Sequence, residues 1–178
     1  RFKNFSFFIK MPELREVETI RRGLSKLIVG RKILAIETGS AKQVRPSLAE
    51  VKKGIMGTTI KAIKRRAKIL QIFLSNGKIL LIHLKLTGRL LVRKKAAPED
   101  DWQRVTLSLS GGKELRFTDL RKFGWLKLVE DEKELGNLLT GLGPEPLDDL
   151  NLLSFRKILA SSSQPIKVVL MNQKKIAG

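Results

Sequence analysis

The spacing of hydrophobic residues divides the chain into a helical opening, a long β-rich middle and a helical end. Apolar residues recur at helical spacing soon after Met11, at Leu14, Val17, Ile20, Leu24, Leu27 and Ile28. Pro12 suits the first position of a helix and Gly30 suits its end. Acidic residues in the first turns and basic residues later complement the helix dipole. We therefore predict an amphipathic helix that begins at Pro12.

The hydrophobic period becomes two after residue 58, which is typical of strands. The segments with this pattern are 58–64, 68–74, 78–84, 90–93, 105–109, 113–117 and 125–129. Asn76-Gly77 and Gly111-Gly112 suit tight hairpin turns between them. A strand at 32–38 and a short helix, opened by the Ser47–Glu50 capping pattern and closed by Gly54, precede them. The pattern predicts a mainly β protein with flanking helices, in which the strands form an antiparallel sandwich or barrel.

Two prolines mark the transition from the β-rich part to the helical end. Residues 131–150 are predicted to form a short helix and a linker that contains Pro144 and Pro146. Residues 151–178 carry two short helical patterns whose apolar faces have too few partners, so we expect a truncated helical domain there. The remaining predicted units are a β-sandwich domain with its N-terminal helix at 11–130 and a non-native or upstream extension at 1–10.

The charge of the chain indicates its partner. Lysine and arginine number 36 against 17 acidic residues, giving a formal net charge of +19. Such an excess favours binding to a polyanion, and nucleic acid is the first expectation. An anionic membrane surface competes poorly, because no long basic amphipathic helix is present and the apolar runs are too short to span a bilayer. Cysteine is absent and His83 is the single histidine, so disulfides, thiolate metal sites and histidine-rich metal sites are excluded within these residues.

Pro12 and Glu13 form the first candidate for chemistry. If Met11 is the initiator and is removed, Pro12 becomes a free secondary amine with a pKa of about 8, largely neutral and nucleophilic. Such an amine can attack C1′ of a sugar and form an iminium, while Glu13 moves protons at the same centre. On residue types alone, an ordinary helix start explains this pair more simply.

Three further groups could contact nucleic acid. The basic run Lys64–Lys68 could bind phosphate, with Arg66 and Lys68 on one face of an extended strand, or could be a solvated edge strand. His83 at a strand end is compatible with a hydrogen-bonded structural role or a functional one. The segment Asp119–Gly124 combines arginine and phenylalanine beside a glycine turn, which suits base stacking, although strands also end this way.

Together these blocks resemble one enzyme family. MPELREVETIRRGL resembles the start of the formamidopyrimidine-DNA glycosylases, which typically reads PELPEVET. KRRAKIL, IHLKLTGRL, FTDLRKFGW and LGPEPL resemble further blocks of that family in the same order, and PIKVVLMNQKKIAG resembles the stretch before its asparagine-containing turn. The resemblance covers residues 11–178. The related endonuclease VIII branch, whose start typically reads PEGPE, fits less well.

The resemblance implies a bifunctional base-excision enzyme, a DNA glycosylase and AP lyase. It would remove oxidised purines (8-oxoguanine and formamidopyrimidines) from double-stranded DNA and nick the strand by β,δ-elimination. Pro12 would be the Schiff-base nucleophile, Glu13 its acid/base partner and Lys68 the lysine needed for base removal. The DNA-contacting residues would be Leu86, Arg121 and Phe123 in the gap left by the flipped nucleotide, with Arg121 reading the opposite cytosine, and His83 and Lys167 at phosphates. A monomer in the bacterial cytoplasm is expected, with no membrane association.

Several positions depart from the family pattern. Arg15 replaces a proline and Leu86 a methionine, the segment Asp100–Trp102 stands where lysine and histidine are usual, and Ser161–Ser163 stands where basic residues are common. We expect a DNA-backbone contact to be missing at Asp100–Trp102. The family's zinc finger has no counterpart in this sequence, so no cofactor or metal is expected within it, and weak DNA binding and poor excision are expected.

Two alternatives stay open. The chain could be a catalytically incompetent nucleic-acid-binding fragment, either by truncation or because residues 1–10 are retained and make the Pro12 nitrogen an amide. It could instead be a basic ribosome-associated domain that prefers structured RNA.

Overall fold

The computed structural model describes residues 12–178, so the predicted extension at 1–10 and the predicted start at Met11 lie outside the described residues. The helices are α1 Leu14–Ile28, α2 Leu48–Ile55, α3 Glu132–Leu139, α4 Leu152–Ala160 and α5 Ile166–Met171. The strands are β1 Ile33–Thr38, β2 Val44–Arg45, β3 Ile60–Arg66, β4 Ile69–Leu74, β5 Ile79–His83, β6 Gly88–Lys94, β7 Gln103–Leu109, β8 Lys113–Asp119 and β9 Trp125–Val129. No helix among residues 12–178 has the length and apolar content needed to cross a membrane.

The strands form two sheets, which confirms the predicted fold class. One sheet has four strands in the order β1-β7-β8-β6, all antiparallel, and the other has five in the order β2-β9-β5-β4-β3. The prediction of a wholly antiparallel sandwich is wrong at one place, because β2 pairs parallel with β9. This strand is two residues long and follows a 3₁₀ turn at Ala41–Gln43, so it carries no periodicity that the sequence could reveal.

The main core lies between the sheets and is closed by α1 and α2. Phe117 is among the largest fully buried side chains, at 1% exposure, and the α1 stripe contributes Val17 and Ile28. A second, smaller cluster packs α3 on the five-stranded sheet through Leu81 and Leu135. Both faces of β5 are therefore covered, which explains why this strand is a continuous apolar run rather than an alternating one.

The helix ends differ from the prediction in two places. Helix α1 begins at Leu14 with Glu13 as its N-cap residue, so Pro12 precedes the helix instead of occupying its first position. Helix α2 starts as predicted, because the Ser47 hydroxyl accepts a hydrogen bond from the Glu50 N–H (3.2 Å). Gly54 lies inside α2 rather than closing it.

The helices at the end of the chain bury few of their side chains. Helix α4 has no buried residue, and Leu152 and Leu153 are 70% and 72% exposed. The last residues are held more firmly, since the Ala177 N–H donates to the Pro144 carbonyl (3.1 Å) and Ala177 is fully buried. The proposed division into a sandwich domain at 11–130, a linker at 131–150 and a helical domain at 151–178 stays a prediction.

Candidate active site

The predicted site residues collect where two connections cross between the sheets. Residues 84–87 lead from β5 to β6, and residues 120–124 lead from β8 to β9. In the five-stranded sheet, His83 at the end of β5 pairs with Ile69 at the start of β4 and with Trp125 at the start of β9. Antiparallel pairing therefore brings Lys68 and both connections to one end of the sandwich.

The three predicted catalytic residues are adjacent at this end. The Lys68 ammonium lies 2.5 Å from a Glu13 carboxylate oxygen. Glu13 follows Pro12 directly, and Pro12 and Leu86 both line a cavity of about 660 Å³. The Glu13 side chain is 53% exposed and that of Lys68 is 25% exposed, so the pair lies at the surface, within reach of a bound ligand.

Lys68 is positioned by a buried carboxylate that the sequence did not single out. Glu145 is 4% exposed, and its carboxylate accepts hydrogen bonds from the Ala67 N–H (2.5 Å), Arg65 (2.5 Å) and Arg66 (3.0 Å). Ala67 has a φ of +49°, so the strand does not continue in extended form to Lys68. The predicted phosphate surface along this run is therefore wrong for the two arginines, which turn inward to Glu145.

The same cluster reaches helix α1 through Glu18. The Glu18 carboxylate accepts hydrogen bonds from Arg21 (2.7 Å), Arg22 (2.7 Å) and Arg65 (3.2 Å). The hydrogen bonds from Arg21, and then from Arg22 and Arg65, lower the pKa of Glu18 to about 2, although burial acts in the opposite direction. These contacts tie α1 to β3 and so hold Glu13 near Lys68.

The predicted gap-filling residues are exposed at the two connections. Leu86 is half-buried in a tight turn closed by the hydrogen bond from the Gly88 N–H to the Leu84 carbonyl (3.0 Å). Phe123 is 52% exposed, and the Arg121 guanidinium lies 4.9 Å from its ring centroid. Within residues 12–178 the Arg121 side chain forms no salt bridge, so its charge is available to a ligand.

Asp119 organises both connections, and the sequence prediction missed this role. It is 1% exposed, and its Oδ1 accepts hydrogen bonds from the Thr87 hydroxyl and the Arg121 N–H (3.2 Å). Its Oδ2 accepts from the Gly124 N–H (2.8 Å) and the Gln43 side-chain amide (3.2 Å). An aspartate before a turn commonly binds backbone N–H groups, which was a usable signal. No nearby sequence pattern indicates that Thr87 and Gln43 donate hydrogen bonds to Asp119.

His83 is neutral in this environment. Burial, followed by the charges of Lys85 and Lys68, lowers the pKa of His83 to about 4. Its Nδ1 accepts a hydrogen bond from the Lys85 N–H (3.0 Å), so the proton of the neutral ring lies on Nε2. Without DNA, His83 therefore presents a neutral Nε2–H and no positive charge.

Lys167 is the predicted residue that is least connected to this site. It lies exposed on α5. In the part of the chain that the structure describes, no ion pair joins it to the other predicted residues.

The acidic segment at Asp100–Trp102 has a structural role. Asp100 accepts hydrogen bonds from Arg93 (2.7 Å) and Arg116 (3.1 Å), and these bonds, that from Arg93 foremost, hold its pKa below the ordinary value. Trp102 is 47% exposed and lines the cavity that contains Pro12.

Comparison with known proteins gives a consistent result. Residues 11–126 match the family model described as formamidopyrimidine-DNA glycosylase N-terminal domain. The chain is 42% identical over 171 residues to formamidopyrimidine-DNA glycosylase from Herpetosiphon aurantiacus, covering 94% of this chain and 62% of that protein. It is 37% identical over 170 residues to the Streptococcus mutans protein of the same name, with the same coverage. The chain thus spans about 62% of the length of these curated relatives.

Solved structures of the Lactococcus lactis protein show the same fold. A complex with DNA containing an abasic site superposes with a TM-score of 0.85 at 35% identity, covering 93% of this chain and 62% of that one. A complex with DNA containing N7-benzyl-Fapy-dG gives a TM-score of 0.86 at 36% identity, covering 94% and 62%.

Proposed function

The chain belongs to the formamidopyrimidine-DNA glycosylase family, and we propose that it acts in base-excision repair as a glycosylase and AP lyase that removes oxidised purines from double-stranded DNA. The observation that carries the proposal is the 2.5 Å contact between Glu13 and Lys68, which brings together, beside Pro12, the residues expected to perform the chemistry. The Lactococcus lactis relatives bound to abasic and Fapy-dG DNA support DNA as the partner.

The proposed reaction begins at the Pro12 nitrogen. Its lone pair forms a bond to C1′ of the damaged nucleotide while the C1′–N9 bond breaks, and the base leaves with a proton. The proline N–H proton passes to O4′ as the C1′–O4′ bond breaks, which opens the sugar ring and gives the iminium. Loss of a C2′ proton then breaks the C3′–O bond and releases one phosphate end, and loss of a C4′ proton breaks the C5′–O bond and releases the other. Glu13 and Lys68 are adjacent to Pro12 and supply the acceptor and donor for these proton transfers.

The two connections provide the means to open the duplex. Extruding a nucleotide costs a few kcal/mol, which contacts in the vacated space offset. Leu86 and the exposed Arg121–Phe123 stack project from connections that Asp119 holds together. Arg121 is the residue proposed to read the opposite cytosine, and His83 and Lys167 are proposed to contact phosphates.

The family implies a four-cysteine zinc site. The 178 residues of this chain contain no cysteine, so none of them fits such a site. The proposed steps use the Pro12 amine and the two side chains beside it.

Borohydride trapping tests the proposal. The full-length gene product, processed to begin at Pro12, is incubated with an 8-oxoguanine duplex and reductant. We expect a covalent protein–DNA adduct, and no adduct when the Pro12 amine is acetylated. Failure to trap with the free amine, or an adduct that survives acetylation, would exclude Pro12 as the nucleophile.

A matched variant separates the two chemical steps. Lys68→Gln should abolish trapping on 8-oxoguanine DNA, because base removal needs a proton donor. It should retain trapping on pre-formed abasic DNA, because the amine attacks that aldehyde directly. Equal trapping of both substrates would remove Lys68 from the glycosylase step.

One observation supports a second candidate, a nucleic-acid-binding protein without catalysis. Residues 1–11 precede Pro12 in the sequence, and in a protein that retains them the Pro12 nitrogen is an amide without a basic lone pair. Intact mass and N-terminal sequencing of the protein from its native host decide this. A start at Pro12 supports the enzyme, whereas retained upstream residues support binding alone.

A further inference from the structure

We propose that Trp102 is an aromatic platform on which a nucleobase of the lesion-bearing strand stacks. The inference rests on the proposed function and deepens it by adding a DNA contact within the groove that contains Pro12. The family pattern supplies no such residue, because lysine and histidine are usual in this segment.

Trp102 lies at the same end of the sandwich as Leu86, one of the residues proposed to fill the gap left by the extruded nucleotide. It immediately precedes β7, and its carbonyl accepts a hydrogen bond from the Asp119 N–H (3.0 Å) at the end of β8. Asp119 in turn pairs with Gly88 at the start of β6. The starts of β6 and β7 and the end of β8 therefore lie side by side, which places Trp102 in one row with the turn that carries Leu86.

The turn that presents Trp102 is rigidly held. Its backbone has a φ of +55°, a conformation that a bulky residue adopts only where the surroundings impose it. Asp100 supplies that constraint through its bonds to Arg93 and Arg116, and Arg116 also donates to the Ala97 carbonyl (2.9 Å). A large aromatic ring on a fixed turn loses little conformational freedom when it binds.

The surroundings of Trp102 suit a base rather than a phosphate. Asp101 lines the cavity beside it, and an acidic group there repels a phosphate. Ile20, Leu90 and Leu91 also line the cavity, together with the charged residues Glu16, Arg89 and Arg93. Trp102 is 47% exposed, so its ring offers a planar surface in the same cavity as Pro12. A chain with a net charge of +19 brings DNA to this surface, and every base has a face that can stack on it.

Intrinsic fluorescence tests the contact directly, because the 178-residue chain has two tryptophans, Trp102 and Trp125. The chain, Trp102→Phe and Trp125→Phe are titrated with an 8-oxoguanine duplex at fixed salt. We expect stacking to quench the emission of the unaltered chain and of Trp125→Phe, and we expect Trp102→Phe to lose that quench. Absence of a quench in Trp125→Phe, in which Trp102 is the remaining tryptophan of the chain, would overturn the proposal.

Affinity provides the second measurement. Trp102→Ala should bind the duplex roughly 5- to 150-fold more weakly, the equivalent of about 1–3 kcal/mol for one base–aromatic stack, whereas Trp102→Phe should keep most of the affinity. Leu34→Ala, at an exposed position on β1, serves as the matched control and should bind like the unaltered chain. A circular-dichroism melt verifies that each variant folds. Unchanged affinity in a folded Trp102→Ala would also overturn the proposal.

A third arm identifies the base. A duplex with a tetrahydrofuran abasic analogue lacks the extruded base but keeps its neighbours. Loss of the quench on this duplex identifies the extruded base as the partner, and retention identifies a neighbouring base. Borohydride trapping separates this proposal from the proposed function: quenching without an adduct would overturn the catalysis alone, and an adduct without quenching would overturn the platform alone.

Discussion

Two buried carboxylates at the same end of the molecule have opposite kinds of partners. Glu145, with Glu18, Arg65 and Arg66, forms what we term the Glu145 cluster, in which the side-chain partners are charged and one backbone donor, the Ala67 N–H, is neutral. Asp119 forms the Asp119 cluster, whose donors are the neutral side chains of Thr87 and Gln43 and the Arg121 and Gly124 N–H groups.

The difference between the two clusters explains which cationic side chains are available to contact DNA. The Glu145 cluster pairs the arginines beside Lys68 with a buried carboxylate, so these charges hold the fold, with Arg65 buried and Arg66 partly buried. The Asp119 cluster binds the Arg121 backbone and leaves its guanidinium exposed over Phe123. The position of a lysine or arginine in the sequence therefore does not show whether it contacts DNA. Its role depends on the group with which its side chain pairs.

The largest expected effect is on the Glu145 cluster. Glu145→Gln leaves Arg66 without its carboxylate and Arg65 with Glu18 as its main partner, and breaking a buried pair in this way costs about 3–5 kcal/mol. Urea unfolding should show this loss. Asp148→Asn is the control, because Asp148 is 71% exposed and 3.8 Å from Arg65, and its effect should be near zero. Equal effects of the two variants would contradict the role of Glu145.

A smaller effect on stability, but a specific one on DNA, is expected for the Asp119 cluster. In Asp119→Asn the side-chain NH₂ faces donors that the carboxylate accepted, which costs about 1–3 kcal/mol. The altered connections should reduce the preference for cytosine over adenine opposite the lesion, measured as a ratio of single-turnover rates. Thr87→Ser keeps the hydroxyl and should keep the ratio. A stability loss with an unchanged ratio would limit Asp119 to a structural role.

The Glu145 cluster should also make the stability of the fold depend on pH in the acidic range. Because the pKa of Glu18 is lowered to about 2 from 4.5, its contribution to stability is complete above pH 4.5 and is lost as the pH falls from 4.5 towards 2. Thermal melts across this range should decline less steeply for Glu18→Gln than for the unaltered chain. Parallel declines would assign the acid sensitivity to other groups.

The smallest effect is expected at His83. With the pKa of His83 near 4, DNA affinity should show no inflection near pH 6.5 from this residue. His83→Ala should cost about 1 kcal/mol of binding, the value of one neutral hydrogen bond, without changing the salt dependence. Lys167→Ala, at the other residue proposed to contact a phosphate, is the comparison, and its salt slope should fall by about one. A reduced slope for His83→Ala would mean that the histidine binds as a cation.

The hydrophobic pattern was sufficient for much of the fold. The stripe from Leu14 to Ile28 predicted α1, and short apolar segments between turn residues predicted eight of the nine strands, because both signals depend on neighbouring residues. It failed at Val44–Arg45, where pairing with β9 depends on a distant partner. The pattern also failed to predict the surroundings of Arg66. We expected its side chain to share a face with Lys68, but it contacts the Glu145 carboxylate.

The sequence by itself determined that Pro12 and Glu13 stand together at the start of a helical pattern, that the chain is strongly basic and that its middle is β-rich. Only the tertiary structure brought Lys68 to Glu13, gave Asp119 its donor Gln43 and placed Trp102 in the groove with Pro12. The physical reason is the distance along the sequence over which each interaction acts. Periodicity, capping and turn preferences act over a few residues, whereas these contacts are created when two sheets pack and their crossing connections meet at one end.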